Sequence, residues 1–413
     1  MQRAATVRQR PGANGWHARG GVAGLLGVIL VAAALAVPAT AGRAPIKLGV
    51  VVDITGGASS LGIPERNTFL LVQDRLNQQG GLAGWPVQYV IFDGETDPTK
   101  TTLAVKRLIE EEKVAAVICC TTSPASLAIV DTVQSARVPN VSLAAAIQIV
   151  EPVADRYWVF KTPQSDALVI DVLTDEMARR GHRRIAWLGF ADAYGQSAET
   201  ELRRLAPPKG IEVVAWEKYN RQDTDVTAQV TRAARARPDA WLIWAIPPGA
   251  NVAHRNIRDL GLRQPIYQSH GVANPTFLQL GGPYVEGTIL AVGKLLVADQ
   301  LPDSDPQKPV LMDYIRSYTQ RFGASTLSTF GGHALDASLL LHPAIERVLA
   351  RGVAPDDLAP FRAALRDELE RSQGIIGITG IFNISPQDHM GLDRRALAVV
   401  TVEKGQWKLV SSD

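Results

Sequence analysis

Cysteine is nearly absent from this chain: among 413 residues the only two are neighbours, Cys119 and Cys120. Adjacent cysteines rarely pair, because the ring they close is strained, so they are expected as two small buried hydrophobes at a strand end. Their spacing excludes a zinc site and a CxxC redox motif. An excess of charge is missing as well, with 43 basic against 41 acidic side chains. That balance gives no support to nucleic acid or anionic membrane as a partner. Catalytic signatures are lacking too. There is no GxSxG elbow, GxxxxGK[ST] phosphate loop, HExxH or GxGxxG, and no cofactor is expected. The seven histidines are scattered, and a metal site from His270 and His333 would need the fold to bring them together. The acids of "FDGETDPTK" serve a polar turn and a helix cap more economically than a catalytic dyad. An enzyme is not expected.

Long apolar runs are limited to one, from Gly21 to Val37. Arg3, Arg8, Arg10 and Arg19 precede or flank it without an acid, and Ala39 and Ala41 supply small residues behind it. This is the pattern of an export signal over 1–41, cleaved after Ala41. The run is short for a membrane span of ~20 residues. No cysteine follows it for a lipid anchor. Without these 41 residues the net charge becomes −2, and 372 residues remain. A chain beyond ~250–300 residues usually divides its core, so two lobes are expected.

What is present is an alternation. "IKLGVVVDI", "WPVQYVIFD", "VAAVICC" and "VPNVSLAAA" read as strands, with "GIPERNTFLLVQDRLNQQGG", "TTLAVKRLIEEEK" and "PASLAIVDTVQSAR" as helices between them. A second series, "RRIAWLGF", "IEVVAWEKY", "AWLIWAI" and "PIYQSH", repeats the architecture without repeating the sequence. Strands and helices taking turns mean βαβ units, hence an α/β protein of two doubly wound parallel-sheet lobes. The tail "ALAVVTVEKGQWKLV" reads as a hairpin turning at Lys404-Gly405.

In open parallel sheets ligands collect beyond the carboxyl ends of the strands, so the loops after each strand hold the candidates. In "CCTTSPAS", Ser123 before Pro124 reads as a helix N-cap. Its free amides would attract an anion, and Thr121 and Thr122 add hydroxyls; ordinary capping is the alternative. In "SLAAA" (142–146) small side chains leave the backbone approachable to a ligand or to a packed helix. Tyr194 in "FADAYGQ" is placed to close over a ligand, or is a surface tyrosine. His270 ends "PIYQSH".

The fragments "IKLGVVVDITGGASSLGIPERN", "DGETDPTKTTLAVKRLIEE", "TTSPASLAI", "FKTPQSDA", "DAYGQS", "HGVANPTFLQLGG", "TFGGHALDA" and "GIFNISPQDHMGLD" occur in this order across 45–413. Together they resemble the periplasmic type I solute-binding proteins of the branched-chain amino acid (Leu/Ile/Val-binding) class of ABC transporters. The resemblance implies a clamshell with a three-crossing hinge, the crossings near 160–163, 290–293 and 377–382. Lobe one would be 44–161 plus 293–378, and lobe two 162–292 plus 379–413. It also implies a monomer in the periplasm that closes on a small-molecule carboxylate and docks on a permease of the inner membrane. A ligand-sensing receptor of the same fold is the alternative.

Carried over by position, Thr121, Thr122 and Ser123 match the segment that holds the ligand carboxylate, and Ser142 and Ala144 the next loop. Leu61 matches a side chain against the ligand, and Tyr194 the tyrosine of the opposite lobe. His270 stands where amino-acid binders typically carry a glutamate for the ligand ammonium, and Ala146 where some relatives have a threonine. A buried ammonium wants an anion beside it, and imidazole supplies none, although it can hydrogen-bond a hydroxyl, carbonyl or carboxylate. The expected ligand is therefore an acid without an α-amino group, such as an aromatic or 2-oxo acid. A branched-chain amino acid with its amine held elsewhere is the alternative.

Overall fold

The structure, a computed structural model, describes residues 43–412; the export signal expected over 1–41 lies outside the described residues. The first series of strands is β1 (Ile46–Val52), β2 (Val87–Asp93), β3 (Ala116–Cys119), β4 (Asn140–Ser142) and β5 (Val159–Lys161). They form one parallel sheet in the order β2-β1-β3-β4-β5, with Leu48 registered against both Tyr89 and Ala116. Between them run α1 (Ser59–Gln78), α2 (Pro98–Glu110), α3 (Ser123–Ala128) and α4 (Val130–Ala136). The strands read as continuous apolar runs because helices cover both faces of the sheet.

The chain then crosses into α5 (Asp166–Arg179) and a second sheet. Its parallel strands are β6 (Arg184–Phe190), β7 (Glu212–Tyr219), β8 (Ala240–Trp244), β9 (Ile266–Gln268) and β10 (Ile289–Val292). They are spaced by α6 (Ala193–Leu205), α7 (Thr227–Ala234), α8 (Gly249–Asp259) and α9 (Pro275–Gly281). Three tryptophans, Trp187, Trp241 and Trp244, are fully buried in this lobe's core.

After β10 the chain returns to the first lobe. It forms α10 (Lys308–Phe322), α11 (Thr329–Ala350) and α12 (Leu358–Leu369), then a small hairpin, β11 (Gln373–Ile376) with β12 (Ile381–Asn383). Helix α11 lies along α1, and its Ala337, Leu341 and Ile345 share one core with Phe69 of α1. The chain ends as β13 (Ala398–Glu403) and β14 (Gln406–Ser412), antiparallel additions that complete the order β14-β13-β10-β9-β8-β6-β7. Their turn falls at Lys404 and Gly405, both with positive φ (53° and 70°), as a two-residue hairpin turn demands.

Two expectations change. The third crossing, read near 377–382, falls between Ala396 and Ala398. Strand β12 folds back on β11 instead of leaving the lobe, and Phe382, Ile384, Leu392 and Ala396 pack into the lobe-one core. Cys119 and Cys120, expected as unpaired hydrophobes, are joined by a disulfide. The peptide between them is cis, which brings their α-carbons to 3.0 Å so that the sulfurs can meet. Both are buried as expected.

Two glycines set where each lobe's leading helix starts. A β-carbon on Gly62 would lie 2.1 Å from the Asp53 carbonyl oxygen, and one on Gly195 would lie 1.9 Å from that of Phe190. In each lobe the helix that follows the first strand therefore presses its backbone onto that strand's end. That closeness points the loops at strand ends, and the helix starts beside them, into the space between the lobes.

Candidate functional site between the lobes

The carboxyl ends of both sheets face one another around about 390 Å³ of atom-free space. Lobe one contributes Leu61 of α1, Thr121 to Ser123 after β3, and Leu143 to Ala145 after β4. Lobe two contributes Tyr194 of α6, Arg221 after β7, Ile246 after β8, and His270 with Gly271 after β9. Pro163 comes from the first crossing, and Phe330 and His333 from the first turn of α11. The lobes touch here: α3 packs against α6, and the Thr329 hydroxyl donates to the Ala273 carbonyl at 3.3 Å.

Of the residues singled out in the sequence, Leu61, Thr121, Thr122, Ser123, Ala144, Tyr194 and His270 all line this space. Ser142 does not. It is fully buried, its hydroxyl is 2.8 Å from that of Ser126, and it accepts the Ala144 amide at 3.2 Å. It holds the wall in place from behind. Thr121 reaches the wall, but its hydroxyl accepts the Asp53 amide and donates to Glu65. Ala146 lies outside the lining, its amide donating to the Ser123 hydroxyl at 3.2 Å.

The start of α3 also differs from its reading. Thr122, not Ser123, occupies the cap position, without a side-chain capping bond, and the helix is six residues long. So short a helix sums few peptide dipoles, leaving charge at the wall to a residue that sequence reasoning missed. Arg221 donates through Nε to Asp192 at 2.6 Å, and its guanidinium lies 4.7 Å from the centre of the Phe190 ring. Its Nη1 is buried without a hydrogen-bond partner. Asp192 also caps α6 by accepting the amides of Tyr194 and Gly195, so one carboxylate fixes both the helix start and the guanidinium.

Among the described residues no aspartate or glutamate lines the space. The nearest acids stand behind the wall. Asp53 is pushed up to about 6, by burial first, with the Arg221 charge opposing. Glu65 is fully buried and pushed well above the usual carboxylate range by the same cause. Lys161 is fully buried too and donates to the Ala145 carbonyl at 2.6 Å, directly behind the lining. Burial lowers its affinity for a proton and raises that of Asp166 beside it.

His270 sits on a single helical turn (His270–Val272) capped by the Ser269 hydroxyl, which accepts the Gly271 amide and donates to the Ala245 carbonyl. Its ring stands edge-on to Tyr194 at 6.2 Å and to Trp244 at 5.8 Å between centres. Burial, then the Lys161 charge, holds its pKa down at about 3. His333 is lowered to about 3 by burial, then by His270 and Lys161. Both imidazoles are therefore neutral at pH 7. Among the described residues no group of three histidine, cysteine or carboxylate side chains stands ready to hold a metal ion.

This fold with a cleft between two sheets is that of a periplasmic binding protein, and the family relationship is direct: the "Periplasmic binding protein" family model matches residues 45–406. The chain belongs to that family. It is 23% identical over 276 residues to the leucine-, isoleucine-, valine-, threonine-, and alanine-binding protein of Pseudomonas aeruginosa, covering 67% of this chain and 72% of that one. Among solved structures it is similar to an extracellular ligand-binding receptor from Rhodopseudomonas palustris HaA2. The TM-score is 0.83 and the identity 31%, over 89% of this chain and all of that one. The leucine binding protein LivK of Thermotoga maritima shares the fold, with a TM-score of 0.75 at 23% identity over 89% of this chain and 98% of its own. No helix among the described residues is long and apolar enough to cross a membrane.

Proposed function

We propose that this chain is the substrate-binding component of an ABC uptake system, capturing a small organic acid that carries no α-ammonium group. It would work in the periplasm and deliver its ligand to an inner-membrane permease. The family and the names of its relatives support the transport role. One observation carries the choice of ligand: among the described residues the only charged side chain at the wall is the Arg221 guanidinium, and no carboxylate is present there to meet an amine. A guanidinium with a free, buried Nη1 is suited to a carboxylate. The hydroxyls of Thr122 and Ser123 add polar contacts, while Leu61, Leu143, Ile246 and Phe330 offer an apolar body site. An α-ammonium here would meet arginine and two neutral imidazoles, and an unpaired buried charge costs several kcal/mol. The ligand would touch both lobes and shift the open–closed equilibrium toward closure.

Calorimetric titration with leucine and with 4-hydroxybenzoate separates this reading from the one suggested by the relatives' names. The expected result is heat of binding with the aromatic acid and none with leucine. Tight leucine binding would make the chain a true branched-chain amino acid binder and end the proposal.

A further inference from the structure

The two imidazoles in the cavity come from opposite lobes and remote parts of the chain, and the proposed carboxylate grip uses neither. His270 lies at the exit of β9 in lobe two, and His333 in the first turn of α11 in lobe one. Both rings line the same cavity, and His270 stands near enough to His333 to count among the causes that lower its pKa, after burial. Each is held in place by its surroundings. His333 Nδ1 is 2.9 Å from the Thr379 hydroxyl, and its carbonyl accepts the Thr162 hydroxyl at 3.0 Å. Thr379 is in turn fixed by its amide, which donates to Asp336 at 2.7 Å. His270 is wedged between Tyr194 and Trp244.

Held this firmly, the rings still leave polar atoms unpaired. Among the described residues His270 Nδ1 is buried with no partner, and the Tyr194 hydroxyl, near Ser269 and Gly271, has no well-formed hydrogen bond. Nothing in the protein bonds the Nε2 of either histidine among the described residues. A buried polar atom without a partner is costly, so such a pair is better explained by something it receives than by packing.

We propose that His270 and His333 form a subsite for a neutral hydroxyl on the ligand, so that the preferred substrate is an acid bearing a hydroxyl at the end away from its carboxylate. The inference rests on the organic-acid reading above. A neutral imidazole offers one N–H and one lone pair, and a hydroxyl can donate to one ring while accepting from the other. An apolar ligand end would leave both rings unpaired. A second carboxylate has no proton to give to an acceptor nitrogen, and it would bury a second negative charge without a second guanidinium. Metal binding is disfavoured because no third ligand stands with the two rings.

The experiment is calorimetry on the mature chain at pH 7.5 with matched acids: benzoate, 4-hydroxybenzoate and terephthalate, then butanoate and 4-hydroxybutanoate, with leucine as a control. The hydroxylated member of at least one pair should bind about tenfold or more tighter than its plain partner, and terephthalate should bind weakly. His333→Phe, which keeps a ring and removes its nitrogens, should abolish the preference, so that within this variant the hydroxylated and plain acids of a pair bind within about twofold of each other. If that variant fails to fold, the ligand pairs on the unaltered chain decide alone. Equal affinity within both pairs, a preference that survives His333→Phe, or terephthalate binding as tightly as the hydroxy acid overturns the subsite. Leucine binding with none of the acids overturns the organic-acid reading itself, and with it the subsite.

Discussion

Arg221 sits in "YNRQD", a stretch with nothing to mark it in the sequence. Its importance comes from where β7 ends and from Asp192, one strand away, which fixes the guanidinium through Nε. Phe330 was equally hidden, and His333 entered the reading only as a metal partner for His270; both reach the cavity on α11 after the chain has left lobe one and come back. The seven wall residues singled out in the sequence were legible, since each follows a strand of its lobe directly or opens the helix after it. Arg221→Gln removes the guanidinium and its charge and leaves a shorter neutral amide. A charge-assisted hydrogen bond contributes about 1.5–3 kcal/mol, so the dissociation constant for the bound acid should rise about 10- to 100-fold, read by calorimetry. At His270 the consequence concerns pH. Its ordinary pKa of 6.5 falls to about 3 in the fold, so between these values the unfolded chain holds one more proton and stability falls as pH drops. His270→Asn removes that contribution. Urea unfolding at pH 7, 6 and 5 should show a pH dependence shallower than the parent's by about 2 kcal/mol in all between pH 7 and 5, and identical slopes would mean the imidazole titrates normally in the fold.

At the scale of elements, periodicity and turn chemistry carried most of the reading, and local contacts decided the rest. Lys404-Gly405 could be placed because a two-residue turn has a recognisable composition. The boundary near 377–382 could not, since "GITGIFN" reads equally well as a strand leaving the lobe or as the return arm of a hairpin. Only the pairing of β12 with β11 decides it. The cysteine pair escaped for a related reason: a cis peptide leaves no trace in the sequence. Gly62 and Gly195, in contrast, occupy helical positions where a methyl would strike a carbonyl, a closeness that no sequence pattern marks. Gly195→Ala should destabilise the chain by about 1–3 kcal/mol through overpacking. The midpoint of urea unfolding should fall with its slope unchanged, and an unchanged midpoint would show that α6 can shift at no cost.

Over the whole molecule the alternation of strands and helices was enough to give two doubly wound lobes, because a parallel sheet needs a helical crossover after every strand. How the lobes divide the returning segments was beyond it, as that depends on packing between residues hundreds of positions apart. A closed clamshell also predicts linkage. An acid present at about 100 times its dissociation constant adds about 2.7 kcal/mol, which for a chain of this length raises the melting temperature by about 3 °C. A thermal-shift titration checks this, and a melting temperature independent of acid concentration would exclude binding to the folded form.

The hinge adds a consequence of its own. Gln164, in the first crossing, donates through Nε2 to the carbonyls of Thr379 at 2.8 Å and Ala396 at 3.0 Å, and it rests against Gly293 in the second crossing. One amide thus touches all three connecting strands. Torsion taken up by any of them must be shared with the others, so the jaws swing on a single pin and not on three loose threads.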